Sequence, residues 1–299
     1  MRWVPQAWSA GWYAASGTVR GMALILLSAL TAQSMNAMIR WLSSDIHPFE
    51  MVFFRTVFGV LVFAPLFVRH GLEPLRTQRL GLQLLRGALH VVFMMSLFTA
   101  LTLIPLAKVS ALNFTAPLMG TVLAVLFLGE SLRARRVGAL AVGFAGTLVI
   151  LRPGVIAVEP GAMLVLVAAS AFAASIIVIK IMSRTETTVS MTLYQSLFSL
   201  PIVTIATVPF WTTPSPAQLA VLVLLGPLGT IAHMSFAHAF KHADVSAVTP
   251  VEFTKLIFAS FLGYMFFAEV PEVWTWVGGA MIFSAVVYLA IRERTPRAA

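Results

Sequence analysis

Ten apolar stretches follow one another along the chain, near 21–42, 48–68, 81–104, 105–128, 134–151, 160–182, 188–211, 217–240, 244–268 and 273–291, each bounded by charge, Pro or Gly. A helix crossing a bilayer needs roughly 20 apolar residues, so each stretch suits one crossing. The third and fourth run together through Leu103, Ile104, Pro105 and Leu106. Their joint length far exceeds one crossing, and Pro105, with its fixed φ and missing N–H, is suited to open a new helix. Only 10% of residues are charged and 59% are hydrophobic, against about 25% charged in a soluble domain. A soluble surface cannot be covered from that supply, whereas a lipid-facing one needs none. The chain is therefore expected to be an all-α integral membrane protein of ten transmembrane helices, without a sizeable soluble domain.

The 20 Lys and Arg against 11 Asp and Glu leave a formal charge of +9. Assigned to alternate loops, fourteen basic residues, from Arg2 and Arg20 to Arg294 and Arg297, fall on one side, and only Lys108 and Arg152 on the other. Lys and Arg are retained on the cytoplasmic side, so both termini are expected in the cytoplasm, in the plasma membrane (the inner membrane of a Gram-negative cell). Trp41, Trp211, Trp274 and Trp276 fall at the predicted outer ends, as an aromatic belt would. The positive charge thus reflects topology, and no nucleic-acid partner is expected. Residues 1–20 hold Trp3, Trp8, Trp12 and Tyr13 without a long apolar run, and read as an interfacial cytoplasmic tail rather than a cleavable signal. Residues 293–299 read as a second cytoplasmic tail. With no cysteine, disulfides, thiolate metal sites and thiol nucleophiles are excluded.

Ala107, Val109, Ser110 and Ala111 recur with the same spacing as Ala243, Val245, Ser246 and Ala247, each time before an apolar helix ending in an acid, Glu130 or Glu269. The register is 136 at the serines and 139 at the glutamates, so the second copy holds three extra residues near Thr249 and Pro250. A register of 140 pairs Arg40 with Lys180, Met51 with Met191, Arg55 with Gln195 and Gly138 with Gly278. Two five-helix repeats are expected, residues 21–156 and 157–292. Five is odd, so the second copy enters from the opposite side and the repeat is inverted, an arrangement common in transporters.

The ten spans, the doubled Ala-x-Val-Ser-Ala with its glutamate-terminated helix, the Gly-rich fifth and tenth spans and Arg55 in the second resemble the drug/metabolite transporter superfamily, EamA type. The resemblance covers the chain after residue 20 and implies a five-plus-five exporter of small metabolites, nearest the aromatic amino acid exporters.

Within the spans, basic residues must face protein or water. Arg40 and Arg86 lie within a turn or two of span ends and are expected to snorkel to the interface; Arg55 and Lys255 are deeper. Glu252 and Lys255, three apart, can pair, and Pro250 just before them can open the helix. This is either a substrate or proton site or an ion pair that only fixes packing; Glu252 is the acid placed to carry a proton if transport is ion-coupled. The 139 register sets Asn113 opposite Glu252, with Pro117 one turn beyond. Further candidate cavity residues are Asn36 on the first span, His90 and Met94 on the third, Ser175 on the sixth and His233 on the eighth, each of which also suits helix packing. His233 and His238, five apart, face differently, so no metal site and no cofactor are expected. The chain lacks a Gly-x-x-x-x-Gly-Lys phosphate loop, and its acids are scattered, the one close pair, Glu269 and Glu272, lying at the outer interface. The expected function is export of small metabolites, amino acids first and aromatic ones among them, by alternating access through a cavity between the repeats. A small-molecule channel or a lipid-modifying enzyme are the rival readings. Partners are the small-molecule substrate and the bilayer; the small residues of spans five and ten fit a monomer or a homodimer.

Overall fold

A computed structural model describes residues 16–65, 75, 77–128, 134–154, 157–182, 185–242 and 249–292. It has eleven α-helices and no strand among these residues. They are α1 (Gly17–Leu42), α2 (Pro48–Leu61), α3 (Leu80–Leu103), α4 (Leu106–Asn113), α5 (Ala116–Leu128), α6 (Ala134–Leu151), α7 (Pro160–Met182), α8 (Thr188–Thr207), α9 (Pro216–His242), α10 (Thr254–Phe267) and α11 (Val273–Arg292). The stretches Gly17–Leu42, Leu80–Leu103, Leu106–Leu123, Pro160–Ile179, Val189–Phe210 and Pro216–Phe236 are long and apolar enough to cross a bilayer, and Val137–Leu151 and Val273–Tyr288 are shorter apolar helices.

Polarity is distributed for lipid. Ile205, Phe266, Met265 and Phe261 are exposed, while Gln83, Glu50, Arg55 and Arg86 are buried. A water-soluble fold places these classes the other way round. Local chemistry starts and stops the helices. The imidazole of His47 accepts from the Phe49 N–H at 3.3 Å ahead of Pro48, which opens α2. Ser43 closes α1 through its hydroxyl to the Arg40 carbonyl at 2.6 Å.

The fourth and ninth spans depart from the continuous helices expected. The fourth is broken at Phe114–Thr115 between α4 and α5. The described part of the ninth is a 3-10 turn, Thr249–Phe253, that becomes α-helical at Thr254. The 139 register places Phe114–Thr115 opposite Phe253–Thr254, so the two departures are one feature repeated. In each, the threonine hydroxyl turns back to a carbonyl three residues earlier, Thr115 to Leu112 and Thr254 to Val251, both at 2.7 Å. A hydroxyl spent this way competes with the helical ladder and favours a change of geometry. Glu130, the Ala243–Ala247 motif, residues 1–15 and residues 293–299 lie outside the described residues, while residues 17–20, expected in the N-terminal tail, form the first turn of α1 behind the Ser16 cap.

Helix contacts come in matched pairs. α1 packs on α9 as α7 packs on α3, α2 on α9 as α8 on α3, and α5 on α7 as α10 on α1. Three further pairs, α2 with α8, α4 with α10 and α6 with α11, map onto themselves. Exchanging the first five spans for the second five preserves these contacts, as an approximate two-fold relation requires, whereas α3 also packs on α2 and α1 without an equally extensive counterpart in the second half. Glycine permits the closest of these approaches: a Cβ on Gly146 of α6 would lie 2.7 Å from the Gly278 carbonyl oxygen of α11.

Candidate functional site

The two breaks meet. The rings of Phe114 and Phe253 stack with centroids 6.0 Å apart at 20°, and Phe283 of α11 joins them, 4.7 Å from Phe253. Residues related by the repeat can touch each other only near the axis that relates the halves, so the Phe pair marks that axis. Directly before it stand Asn113 and Glu252. Glu252 pairs through Oε2 with Lys255, whose Nζ also lies 5.2 Å from the ring centroid of Phe236 on α9. The other oxygen, Glu252 Oε1, is buried without a hydrogen-bond partner, and so is Asn113 Oδ1. Two unpaired acceptors at repeat-related positions are unusual, because buried polar atoms are nearly always satisfied.

A second group adjoins the first. On α1, Asn36 donates to Gln33 Oε1 at 3.1 Å, which also accepts from Ser110 of α4 at 3.3 Å, so the fourth span is tied to the first by side chains. Beside Asn36, Met35 lies against Gly229 of α9, which also faces the guanidinium of Arg55. Arg55 Nη1 is 3.1 Å from His90 Nε2. His233, one turn along α9, holds the Gly229 carbonyl at 3.1 Å through Nδ1 and is within electrostatic reach of both Arg55 and Lys255. Its ring remains accessible although interior charges surround it, which places it on a space between helices.

Of the sequence-chosen residues, Asn113, Glu252, Lys255 and His233 belong to the first group or border it, and Asn36 and His90 to the second. Met94 is 2% exposed within the apolar core, and Ser175 is buried on α7. Arg40 and Arg86 do not snorkel. Arg40 bridges to Glu269 at 3.1 Å and donates to the Leu101 carbonyl, while Arg86 is buried and donates to the Met191 carbonyl on α8. In both cases a protein acceptor within reach satisfies the guanidinium better than a stretch toward water. Sequence reasoning missed Gln33, Gly229 and the Phe114–Phe253 stack. The stack was available from the register that paired Asn113 with Glu252.

The predicted outer end of the bundle is polar and crossed by ties between the halves: Arg40 to Glu269, Lys108 to Glu159 at 2.9 Å, and Arg152 to Glu272. Glu269 also caps α4 by accepting from the Leu106 N–H at 2.9 Å. A cleft of about 350 Å³ opens there, lined by residues 43–48 with Thr102, Phe210 and Thr212. His47 stacks on Phe210 with centroids 3.9 Å apart, and partial burial lowers its pKa against the opposing pull of Glu50. Among the described residues no group of His, Asp and Glu is arranged to hold a metal ion.

The profile of the EamA-like transporter family matches this chain twice, over residues 19–152 and 159–291. An S-adenosylmethionine uptake transporter of Rickettsia felis is 30% identical over 92% of this chain and 93% of its own length. A riboflavin transporter of Rhizobium johnstonii is 28% identical over 94% and 95%, and the pseudopaline exporter CntI of Pseudomonas aeruginosa 27% over 90% and 95%. A crystal structure with 19% identity superposes with a TM-score of 0.62 over 93% of this chain and 99% of the other, and shares the fold. None of these names is that of an amino acid exporter. The expected place beside the aromatic amino acid exporters gives way to a coarser statement, the transport of small metabolites.

Proposed function

The chain belongs to the EamA-like transporter family, and from that premise we propose that it moves a small, flat, N–H-bearing metabolite by alternating access through the space flanked by Asn113 and Glu252. The observation that carries this reading is the pair of unpaired acceptor oxygens, Asn113 Oδ1 and Glu252 Oε1, beside the Phe114–Phe253 stack. Aromatic faces receive planar rings, and two acceptors aimed from opposite halves select a ligand with donors on both edges. The adenine and isoalloxazine rings of the cargoes named for two relatives are flat, and each bears an N–H donor group. The relatives include both uptake and export, so direction follows the prevailing gradient. Glu252 is the group to exchange a proton with the cavity if transport is coupled, its charge balanced by Lys255 in the ionised state. The two halves act as inverted bundles of residues 21–156 and 157–292, in the plasma membrane with both termini cytoplasmic.

Counterflow in proteoliposomes tests the reading, with S-adenosylmethionine, riboflavin and aromatic amino acids as cargoes, with and without a pH gradient. The expected result is saturable exchange of a heteroaromatic cargo that falls at least tenfold in Glu252→Gln. Normal exchange in that variant removes Glu252 from the mechanism, and continuous ion current in place of counterflow makes the protein a channel. Orientation is read separately. A cysteine at the exposed Ser215 reacts with an impermeant reagent on intact cells, and labelling only after lysis inverts the topology.

A further inference from the structure

Arg40, Lys108 and Lys255 each have a carboxylate partner, in Glu269, Glu159 and Glu252. Arg55 has none. It is 8% exposed, and among the described residues no carboxylate reaches it. Its one hydrogen-bond partner is His90 Nε2. A guanidinium only donates, so Nε2 accepts and the ring carries its hydrogen on Nδ1. A neutral imidazole orients the guanidinium but cancels no charge. Arg55 Nε is buried with no acceptor, and Nη2 donates to no described group. A lone cation in an apolar interior is costly unless an anion meets it.

Gly229 of α9 packs closely on this edge of Arg55, where an added Cβ would lie 3.2 Å from both Nε and Nη2. The equivalent position in the second half is Gln195, buried and uncharged. Arg55, a base without an acid, stands in the first half, while Glu252, with one unpaired oxygen, stands in the second.

We propose that Arg55, oriented by His90 and with its buried Nε unpartnered, receives a carboxylate of the transported metabolite. The inference rests on the central-cavity reading above and narrows it to dipolar cargo, with a carboxylate at Arg55 and a cationic or N–H-rich end at Asn113 and Glu252. Of the cargoes named for relatives, S-adenosylmethionine has this form and riboflavin, without a carboxylate, does not. Arg86, also buried without an acid, adds positive potential from α3.

Acetate is the probe. Purified full-length protein in detergent is melted by tryptophan fluorescence while sodium acetate replaces sodium chloride at constant ionic strength and pH, with inorganic phosphate in a parallel arm. The wild type is expected to gain a saturable rise in Tm with acetate. Arg55→Gln weakens that response at least tenfold, and Gln218→Ala, at the outer surface, retains it. A response to phosphate alone assigns the cation to a lipid headgroup and overturns the proposal, as does no acetate response in the wild type or an equal one in Arg55→Gln. If Arg55→Gln fails to fold, Arg55→Lys decides: a response weakened several-fold supports the site, and an unchanged one overturns it. Cargo exchange without an acetate response sinks the subsite alone. An acetate response in a protein that exchanges nothing sinks the transport reading alone.

Discussion

The fourth and ninth spans share a backbone plan and differ in chemistry. Each changes geometry at a Phe-Thr pair, each turns its threonine back on the chain, and their phenylalanines stack on one another. Yet Asn113 faces Glu252, and the residue opposite Lys255 in the 139 register is Ala116. The second and seventh spans repeat the lesson with Arg55 and Gln195. Duplication thus supplied two matching frameworks that can exchange roles about an axis, and divergence put the acid in one half and the unmatched base in the other. A symmetric pair of identical charges would repel across the axis; an asymmetric pair gives the cavity a direction along which a dipolar solute can lie.

The sharpest way to break this comparison is to strand the acid. Lys255→Ala leaves the Glu252 carboxylate without its partner and is expected to destabilise the protein by about 3 kcal/mol. That is the low end for a broken ion pair, because the two side chains keep 22% and 18% exposure. Lys255→Ala combined with Glu252→Gln should recover most of the loss in detergent unfolding curves. A double variant less stable than Lys255→Ala alone would show that the pair is not coupled.

Making the halves alike is the next test. Asn113→Asp puts a second carboxylate beside the axis with no lysine to balance it. An expected loss of roughly 1–3 kcal/mol follows from burying an unsatisfied group, and in the Glu252→Gln background no counterflow returns. Recovery of transport there would mean that any carboxylate beside the Phe stack suffices, and the asymmetry would lose its meaning. The smallest change is Gly229→Ala. Its methyl presses on Arg55 and on Met35 Sδ, each at 3.2 Å, with an expected cost of about 1 kcal/mol from overpacking and a several-fold rise in KM for a carboxylate-bearing cargo. An unchanged KM would remove Gly229 from the cavity.

The sequence by itself determined the class of molecule. Apolar run length, charge scarcity and the doubled motif follow from what lipid demands of any chain, so spans, repeat and family were legible before any coordinates. The 139 register even located Asn113 and Glu252 opposite one another. Only the tertiary structure decided that the fourth and ninth spans break together at stacked phenylalanines. It alone placed His90 on Arg55, and it satisfied Arg86 with the Met191 carbonyl of another helix rather than with interfacial water. Periodicity reports which face of a helix avoids lipid. It does not report which helix lies opposite, and the partner of a buried charge is a property of that pairing.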